Sequence, residues 1–242
     1  MPFDAFNAPS GAPFPLRLAM PRERLFALLA RQLGSLFEFE PGLDAGPLAA
    51  ALTHALHDVA ICFRPSRNKY FRRDGAPWFD PFHSGQYAIF LSYVASRLAH
   101  AGEASLADRV YGLNKALNGL DLYHAVGLPA VFGLDHPVGS VIGRARIGNG
   151  FYFCQNCTVG SSRGVFPTLG REVTMFAYAA VIGRCAIGDC VILGAGAMVI
   201  DQDVPGMSVV TGRSPRLDIR PISQESFAKR AYFESSLLDL PR

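Results

Sequence analysis

The second half of the chain contains few side chains that can exchange a proton near neutral pH. From residue 119 onward the only histidines are His124 and His136. An imidazole can take a proton from a hydroxyl group, and a carboxylate behind it would fix its tautomer and stabilise the imidazolium. Asp135 is adjacent, but neighbours on a flat strand point in opposite directions, which makes the more distant Asp121 the better candidate for that carboxylate. The pattern indicates a general base, or alternatively a histidine that only hydrogen-bonds a turn.

A repeat with a period of six residues follows His136 and defines the element that must position it. Its large apolar residues are Leu169, Met175, Val181, Ile187, Leu193 and Val199, preceded by Val141, Ile147, Phe153 and Val159. One gap of ten residues, between Val159 and Leu169, interrupts the period. Neither a helix nor a flat sheet has this period, whereas a coil with three short sides does. The repeat therefore predicts a left-handed parallel β-helix, rather than a sandwich with chance spacing.

Stacking of these coils predicts a groove above His136. Each turn of such a coil has about eighteen residues. When the extra residues of the gap are added once to this spacing, the units that begin at 135, 153, 175 and 193 share one wall. The positions above His136 on this wall are Gln155, Ala177, Tyr178, Ala195 and Gly196. Small residues at this edge would leave room for a long thin ligand whose reactive end lies near the imidazole.

The order of elements predicts an α+β chain, with a helical region followed by the β-helix. The predicted domains are an N-terminal arm over 1–20, a helical domain over 21–118, the β-helix over 119–216 and a tail over 217–242. Helices are predicted at Pro21–Leu33, Pro47–Phe63, Ser84–His100 and Ala104–Tyr111, with a loop at Arg64–Asp80, a turn-rich passage at Gly112–Asp121 and a final short helix at Ser223–Leu238.

Composition excludes several classes of protein. The net charge of +3 is too small to suggest a nucleic-acid partner, and we expect no membrane span because no apolar run has the required length. Five cysteines and an N-terminus without an apolar signal core are typical of a cytoplasmic protein. Cys157 and Cys185 fall at inward positions, and a zinc site at Cys154 and Cys157 lacks a second pair. His54, His57 and Asp58 share a helix face that could bind a metal or simply face solvent.

The segments that carry these residues resemble bacterial serine acetyltransferases. The resemblance runs from about Ser84 to Arg216, and Asp121 lies fourteen residues before Asp135, as in that family. It implies that His136 is the general base, that Asp121 orients it and that Asp135 contacts the acceptor. The version His136-Pro137-Val138-Gly139 is similar to a subgroup found in surface-polysaccharide gene clusters.

The resemblance also implies acetyl-CoA as the donor and a homotrimer, or a dimer of trimers, as the assembly. Acetyl-CoA lies along the edge of the β-helix in this family, and the groove is completed by a neighbouring copy. The matching cofactor positions are Gly160, Ala177, Tyr178, Ala195, Gly196, Arg213 and Arg216. Of these, Tyr178 replaces a glycine, and the two arginines could meet CoA phosphates. No metal cofactor is expected.

The acceptor site departs from the family pattern. Val165 and Phe166, before Pro167, replace an Arg-His pair that serves the carboxylate of the amino acid in the family. Phe166 could instead pack against a sugar and is therefore assigned to acceptor binding. Gln155 is assigned to acceptor binding as well. The acceptor is therefore expected to be a sugar, a nucleotide sugar or a serine-like amino acid, with L-serine of cysteine biosynthesis as the alternative. A metal-dependent hydratase and a non-catalytic scaffold are two further alternatives.

Overall fold

The computed structural model describes residues 5–6 and 16–238, and the chain divides into two units, Met1–Asn118 and Gly119–Arg242. Part of the expected N-terminal arm and the last four residues of the expected tail lie outside the described residues. Helices dominate the first unit and parallel strands dominate the second. The α+β class predicted from the sequence is confirmed.

Four helices and a small sheet form the first unit. The helices are α1 (Arg22–Leu36), α2 (Pro41–Phe63), α3 (Ser84–His100) and α4 (Ala104–Asn118). The strands are β1 (Ala5–Phe6), β2 (Leu16–Leu18), β3 (Arg72–Arg73) and β4 (Ala76–Phe79), in the order β1-β2-β4-β3. Leu25, Leu29 and Leu33 form the buried stripe of α1 at the spacing expected of a helix. The segment predicted as a loop between α2 and α3 thus contains a hairpin, which pairs with β2.

Helix α4 is longer than the sequence suggested. The passage from Gly112 was predicted to be turn-rich, yet the helix continues to Asn118. Buried Asn114 donates from Nδ2 to the Ala88 carbonyl and to the Ser92 hydroxyl, both at 3.0 Å, and Asn118 donates to the side chain of Asn114 at 2.8 Å. These buried hydrogen bonds and the packing of α4 against α3 outweigh the local preference of Asn and Gly for turns.

Helix α2 is long and apolar enough, by length and composition alone, to cross a membrane, which differs from the expectation that no such run exists. It is the one such helix among the residues that the structure describes. Half of its most apolar window is buried inside the protein, where Leu48, Leu52 and Leu56 belong to the core. Asp44 in its first turn is bound by Arg109, with both N–O distances at 2.8 Å. We therefore interpret α2 as a core helix of the first unit.

The second unit is a parallel β-solenoid with three walls. In chain order its strands are β5 (Asp121–Leu122), β6 (Phe132–Leu134), β7 (Val141–Ile142), β8 (Arg146–Ile147), β9 (Phe151–Phe153), β10 (Thr158–Gly160), β11 (Thr168–Leu169), β12 (Thr174–Met175), β13 (Ala180–Ile182), β14 (Ala186–Ile187), β15 (Val191–Leu193), β16 (Met198–Ile200), β17 (Ser208–Arg213) and β18 (Arg216–Pro221). The first wall is β5-β7-β10-β13-β16, the second is β6-β9-β12-β15-β17 and the third is β8-β11-β14. Strand β18 turns back as an antiparallel partner of β17.

The six-residue period places the inward side chains as predicted in the regular coils. Leu169, Met175, Val181, Ile187, Leu193 and Val199 are all buried. Met175 pairs with both Phe153 and Leu193, as the wall assignment required. The solenoid core is thus a column of apolar side chains, each stacked on its counterpart one coil away.

The first coil deviates from the predicted register. Phe153 pairs with Leu134, one residue earlier than expected, and Val159 pairs with Ile142. Val141, expected to point inward, is 44% exposed, whereas Ile142 is buried. Leu134 and Ile142 are therefore eight residues apart where later coils have six. The two extra residues widen the corner that carries His136.

Aspartates of one coil cap the corners of the coil before it. The carboxylate of Asp189 accepts a hydrogen bond from the Arg171 backbone N–H at 2.7 Å, and that of Asp201 accepts one from the Arg184 backbone N–H at 2.8 Å. A Cβ at Gly170 would lie 2.4 Å from the Asp189 carboxylate and 2.7 Å from the Gly188 carbonyl carbon. The coils are therefore in direct backbone contact at this corner, and glycine is required there.

The tail after β18 does not form one continuous helix. Only Gln224–Ala228 (α5) and a 3₁₀ turn at Ser235–Leu237 are helical, so the helix predicted within Ser223–Leu238 is wrong over most of its length. Between them, Tyr232 and Phe233 pack against the outer face of the second wall. Burial of these aromatic rings competes with continuation of the helix.

Substitution of Gly170 by alanine is expected to lower the free energy of unfolding by about 1–3 kcal/mol, because the added methyl group would overpack two backbones that already touch. For a chain of this size the melting temperature should fall by roughly 3–10 °C. The matched control is Gly127→Ala, where nothing lies within 4 Å of the new Cβ. Equal melting temperatures for the two variants in thermal denaturation would contradict the close coil contact.

The thiols are expected to react slowly in the native protein. Cys62, Cys154, Cys157 and Cys185 are buried, and Cys190 is partly exposed. Burial raises the pKa of Cys154 to about 11 and, together with the charges of Glu172 and Asp189, raises the pKa of Cys190 to about 11. Both thiols are therefore protonated and unreactive at pH 8. Ellman's reagent should modify at most Cys190 slowly in native protein and all five thiols in guanidinium; rapid native modification of two or more thiols would disprove this packing.

Candidate active site

His136 occupies the widened corner between β6 and β7. Its backbone has a φ of 47°, in the left-handed region, and its carbonyl accepts a hydrogen bond from the Val138 N–H at 2.8 Å. The side chain is 82% exposed. Asn156, Tyr178 and Gly196 also have positive φ values, and the chain turns the same corner at these residues in successive coils. His136 thus lies in the first corner of this series and is open to solvent, while the Asn156 N–H of the next coil donates to the Val138 carbonyl at 3.0 Å.

Asp135 lies next to the imidazole, contrary to the expectation that it would point away. Its Oδ1 is 3.4 Å from His136 Nε2, and its side chain is 52% exposed. The expectation assumed that the strand continues through His136. Because His136 adopts a left-handed conformation, the alternation of the strand ends there and the two side chains converge.

Asp121 reaches the same corner from the first wall. It pairs with Val141, and its N–H donates to the Ser140 carbonyl at 2.9 Å. A further hydrogen bond joins the Gly139 N–H to the Gly119 carbonyl, also at 2.9 Å. The structure therefore brings the segment that carries Asp121 against the turn that carries His136.

The residues predicted to line the groove lie at this corner in successive coils. The Tyr178 N–H donates to the Gln155 carbonyl at 3.0 Å, and the Gly196 N–H donates to the Ala177 carbonyl at 2.9 Å. Tyr178 is 64% exposed and projects from the corner, where its ring can flank a ligand. Ala195 is also exposed.

Arg213 and Arg216 are brought near the upper end of the same stack. They face each other across the hairpin of β17 and β18, and both are exposed. Arg213 pairs with Met198, which begins the strand directly after the corner at Gly196. Two cations thus lie at the end of this series of corners opposite His136.

Gly160 and Phe166 lie at a different corner of the same chain. Gly160 ends β10, so it is at the far end of the first wall from the His136 corner. Ser162 and Val165 exchange two backbone hydrogen bonds, of 3.0 and 2.9 Å, which close the inserted loop into a tight turn. Val165 and Phe166 remain partly exposed beside this turn. Within one chain, therefore, the structure does not bring Phe166 or Gly160 together with His136.

The side chains considered as metal ligands are engaged elsewhere or are too few. In the described part of the chain, no group of three or more His, Cys, Asp or Glu side chains could hold a metal ion. Both carboxylate oxygens of Asp58 bind Arg97, at 2.6 and 2.5 Å, which leaves this carboxylate unsuited to join His54 and His57 as a ligand.

Two tyrosines near Asp135 were not identified from the sequence. Tyr152 and Tyr232 stack with ring centroids 3.6 Å apart and planes 8° from parallel. Burial, and then the negative charge of Asp135, raise the pKa of Tyr152, and the charge of Asp135 also contributes to the raised pKa of Tyr232. The outward position of Tyr152 in its six-residue unit was the available signal, whereas nothing in the sequence placed Tyr232 on this wall.

The known proteins that this chain resembles in sequence are named as serine acetyltransferases. No protein-family profile matches the chain. A serine acetyltransferase of Helicobacter pylori is 30% identical over 149 residues, which cover 55% of this chain and 86% of the relative. A putative serine acetyltransferase of Schizosaccharomyces pombe is 30% identical over 145 residues, and a Bacillus subtilis serine acetyltransferase is 28% identical over 143. The matched segments span 53% and 65% of those two relatives, or about half to two thirds of their length.

Solved structures agree with these sequence relatives. The serine acetyltransferase of Neisseria gonorrhoeae has a TM-score of 0.67 at 26% identity, covering 85% of this chain and 81% of that one. A second structure of that enzyme, in complex with serine, has a TM-score of 0.61 at 29% identity, covering 81% and 83%. The likeness thus includes the helical region as well as the solenoid, which is the left-handed β-helix of these enzymes. With nearly nine tenths of the Helicobacter pylori relative matched at 30% identity, the chain belongs to the serine acetyltransferase family.

Proposed function

We propose that this protein is an acetyl-CoA-dependent O-acetyltransferase that acts on the hydroxyl group of a small acceptor. The observation that carries the proposal is the exposed imidazole of His136 beside Asp135, in the wide first corner of the series. Family membership supports the same chemistry, since the serine acetyltransferases named above share this fold. Composition and the half-buried α2 support a cytoplasmic location.

In the proposed reaction, neutral His136 removes the proton from the acceptor hydroxyl as its oxygen attacks the thioester carbonyl. The tetrahedral intermediate then collapses, the carbon–sulfur bond breaks, and the imidazolium returns the proton to the departing thiolate of CoA. The products are an acetyl ester and free CoA, and the histidine is regenerated. Asp121 orients the imidazole, and Asp135 contacts the acceptor.

The donor is proposed to lie along the corner stack. Ala177, Tyr178, Ala195 and Gly196 would border its pantetheine arm, and the backbone of these coils would supply hydrogen bonds. Arg213 and Arg216, which face each other across the hairpin of β17 and β18, would meet the phosphates at the far end. No metal takes part in this proposal.

Two classes of acceptor have support from different observations. The comparisons favour L-serine, because the relatives are named serine acetyltransferases and a 29% identical structure contains serine. The composition of the inserted loop favours a larger acceptor, because Val165 and Phe166 cannot pair with a carboxylate. A charge-assisted bond of this kind contributes about 1.5–3 kcal/mol. A sugar or sugar nucleotide of a surface-glycan precursor is the second candidate.

We further propose that the active unit is a homotrimer, or a dimer of trimers. Phe166 and Gly160 lie at a different corner from His136 in one chain, so a second copy is needed to bring them to its site. Light scattering at micromolar concentration is expected to give three or six times the chain mass of 26.2 kDa. A monomeric protein with full activity would exclude any contribution of Phe166 to the site of another copy.

Replacement of His136 by alanine is expected to reduce acetyl transfer by about two to four orders of magnitude, the usual effect of losing a general base. Asp121→Asn should reduce kcat by a smaller factor, because it alters only the orientation of the base. Thiol release from acetyl-CoA measures both variants, and retention of the wild-type melting temperature is the control. A His136→Ala variant that keeps most of its kcat would remove this residue from the mechanism.

Activity on free L-serine is expected to be weak, with kcat/KM below the ordinary enzyme range of about 10⁴ M⁻¹s⁻¹ and above. The reason is the missing cation and second imidazole at Val165 and Phe166, which leaves the carboxylate of serine with a desolvation cost. Thiol release with L-serine, other amino acids, monosaccharides and sugar nucleotides tests this in one assay series. Efficient turnover of L-serine would instead assign the protein to cysteine biosynthesis.

The two remaining alternatives are separated by simple controls. A hydratase would retain a stoichiometric metal after purification and lose activity with a chelator. A non-catalytic scaffold would release no thiol from acetyl-CoA with any acceptor.

A further inference from the structure

We infer that Tyr232 is an acceptor-binding residue and that the acceptor it fits carries a pyranose ring. This inference rests on the proposed acetyl transfer at His136 and adds the substrate class. It depends on the segment over residues 229–238, here called the C-terminal strap. The strap runs from α5 back onto the outer face of the second wall.

The strap is fixed to the wall at several points. Phe233 and Leu238 are buried, and they belong to one cluster with Val131, Tyr152 and Cys154. The Ser235 hydroxyl donates to Glu172 Oε1 at 2.6 Å. The Asn149 side-chain amide donates to the Leu238 carbonyl at 3.2 Å. These contacts hold the strap in one place, so that Tyr232 has a defined position.

The second wall has space for aromatic rings beside Gly133. Gly133 pairs with Tyr152 in the neighbouring strand. A Cβ at Gly133 would lie 2.7 Å from the Tyr152 ring and 2.9 Å from the Phe233 ring, so the missing side chain leaves room for both rings. Tyr152 is buried even though it faces outward from the solenoid. Tyr232 covers one face of Tyr152 and is itself only half-buried.

The pair of tyrosines lies beside the proposed catalytic corner. Asp135 follows Gly133 by two residues, so both face outward from the second wall. Burial is the main cause of the raised pKa values of both phenol groups, and the negative charge of Asp135 contributes to both, which fits this proximity. Asp135 is in turn 3.4 Å from His136 Nε2. Tyr232, Asp135 and His136 therefore border one region of the surface.

A pyranose ring matches this combination of groups. One face of the sugar carries C–H groups, which pack against the electron-rich face or edge of a tyrosine ring. Its hydroxyl groups can donate to the carboxylate of Asp135 and present an oxygen to His136. Free serine has no apolar face of comparable area, so Tyr232 would contribute little to its binding. The position of the Tyr232 ring thus favours a pyranose over free serine as the acceptor.

The experiment compares Tyr232→Ala, Tyr232→Phe and the control Ser235→Ala, which removes one hydrogen bond of the strap but keeps the buried Phe233 and Leu238 that anchor it. Methyl α-glucopyranoside, methyl α-galactopyranoside and UDP-glucose are the acceptor probes, and L-serine is the reference. Binding is followed by saturation-transfer NMR, and KM values for acceptor and acetyl-CoA are measured separately. We expect Tyr232→Ala to raise the KM or Kd of a pyranoside by about three- to tenfold, the scale of one aromatic contact. Tyr232→Phe and Ser235→Ala should bind it as the wild type does, with the KM for acetyl-CoA unchanged in all three.

Several outcomes would overturn the inference. It fails if none of the pyranosides binds, if Tyr232→Ala binds them as well as the wild type, or if Ser235→Ala weakens binding equally. Failure of the proposed function has a different signature: no acceptor supports thiol release from acetyl-CoA, while a pyranoside still binds in a Tyr232-dependent way. Efficient transfer to L-serine without pyranoside binding would retain the acetyltransferase and reject the role of Tyr232.

Discussion

Six residues per wall allow each inward side chain of the solenoid to stack on the equivalent side chain one coil away. Every coil must therefore close in register with its neighbours, because a one-residue slip would turn an apolar side chain outward. The corners meet the same requirement through backbone contacts and through aspartate caps such as Asp189, which reaches the coil before it. Burial along the core and hydrogen bonding at the corners thus enforce the same geometry, and the regular part of the second unit leaves little freedom for a reactive side chain.

Reactive or variable groups accordingly occur where the period breaks. The first break lies between Leu134 and Ile142, where two extra residues give the wide corner with His136 in a left-handed conformation. The second break is the inserted loop between Val159 and Leu169, which presents Val165 and Phe166 to solvent. In both places the core residues on either side remain buried, so the irregular residues are displaced outward. A regular scaffold with two outward irregularities can carry chemistry without loss of its core.

The sequence predicted the parts of the structure that repeat and missed those that depend on packing between distant segments. The period alone was sufficient for the three walls and for the inward column from Leu169 to Val199. It could not reveal the one-residue shift at Val141 and Ile142, since both are apolar and the strict period selects Val141. The end of α4 was missed because buried hydrogen bonds of Asn114 decide it, and the strap because Tyr232 and Phe233 lie in a tail with no period. Family resemblance identified the proposed site residues. The turn of Asp135 toward His136, however, depends on a backbone conformation that no sequence pattern predicted.

The separation of His136 from Phe166 within one chain links the proposed chemistry to assembly. A strand of three residues spans about 10 Å, so the corners at the two ends of the first wall cannot share a small ligand. Any contribution of Phe166 to the acceptor site must therefore be made to the His136 of another copy. The C-terminal strap differs in this respect, because Tyr232 and Asp135 belong to the same wall of the same chain. Acceptor contacts would then come from two sources, the strap within the chain and Phe166 of another copy. A change of acceptor could therefore evolve in the strap without any change in the surfaces that hold the copies together.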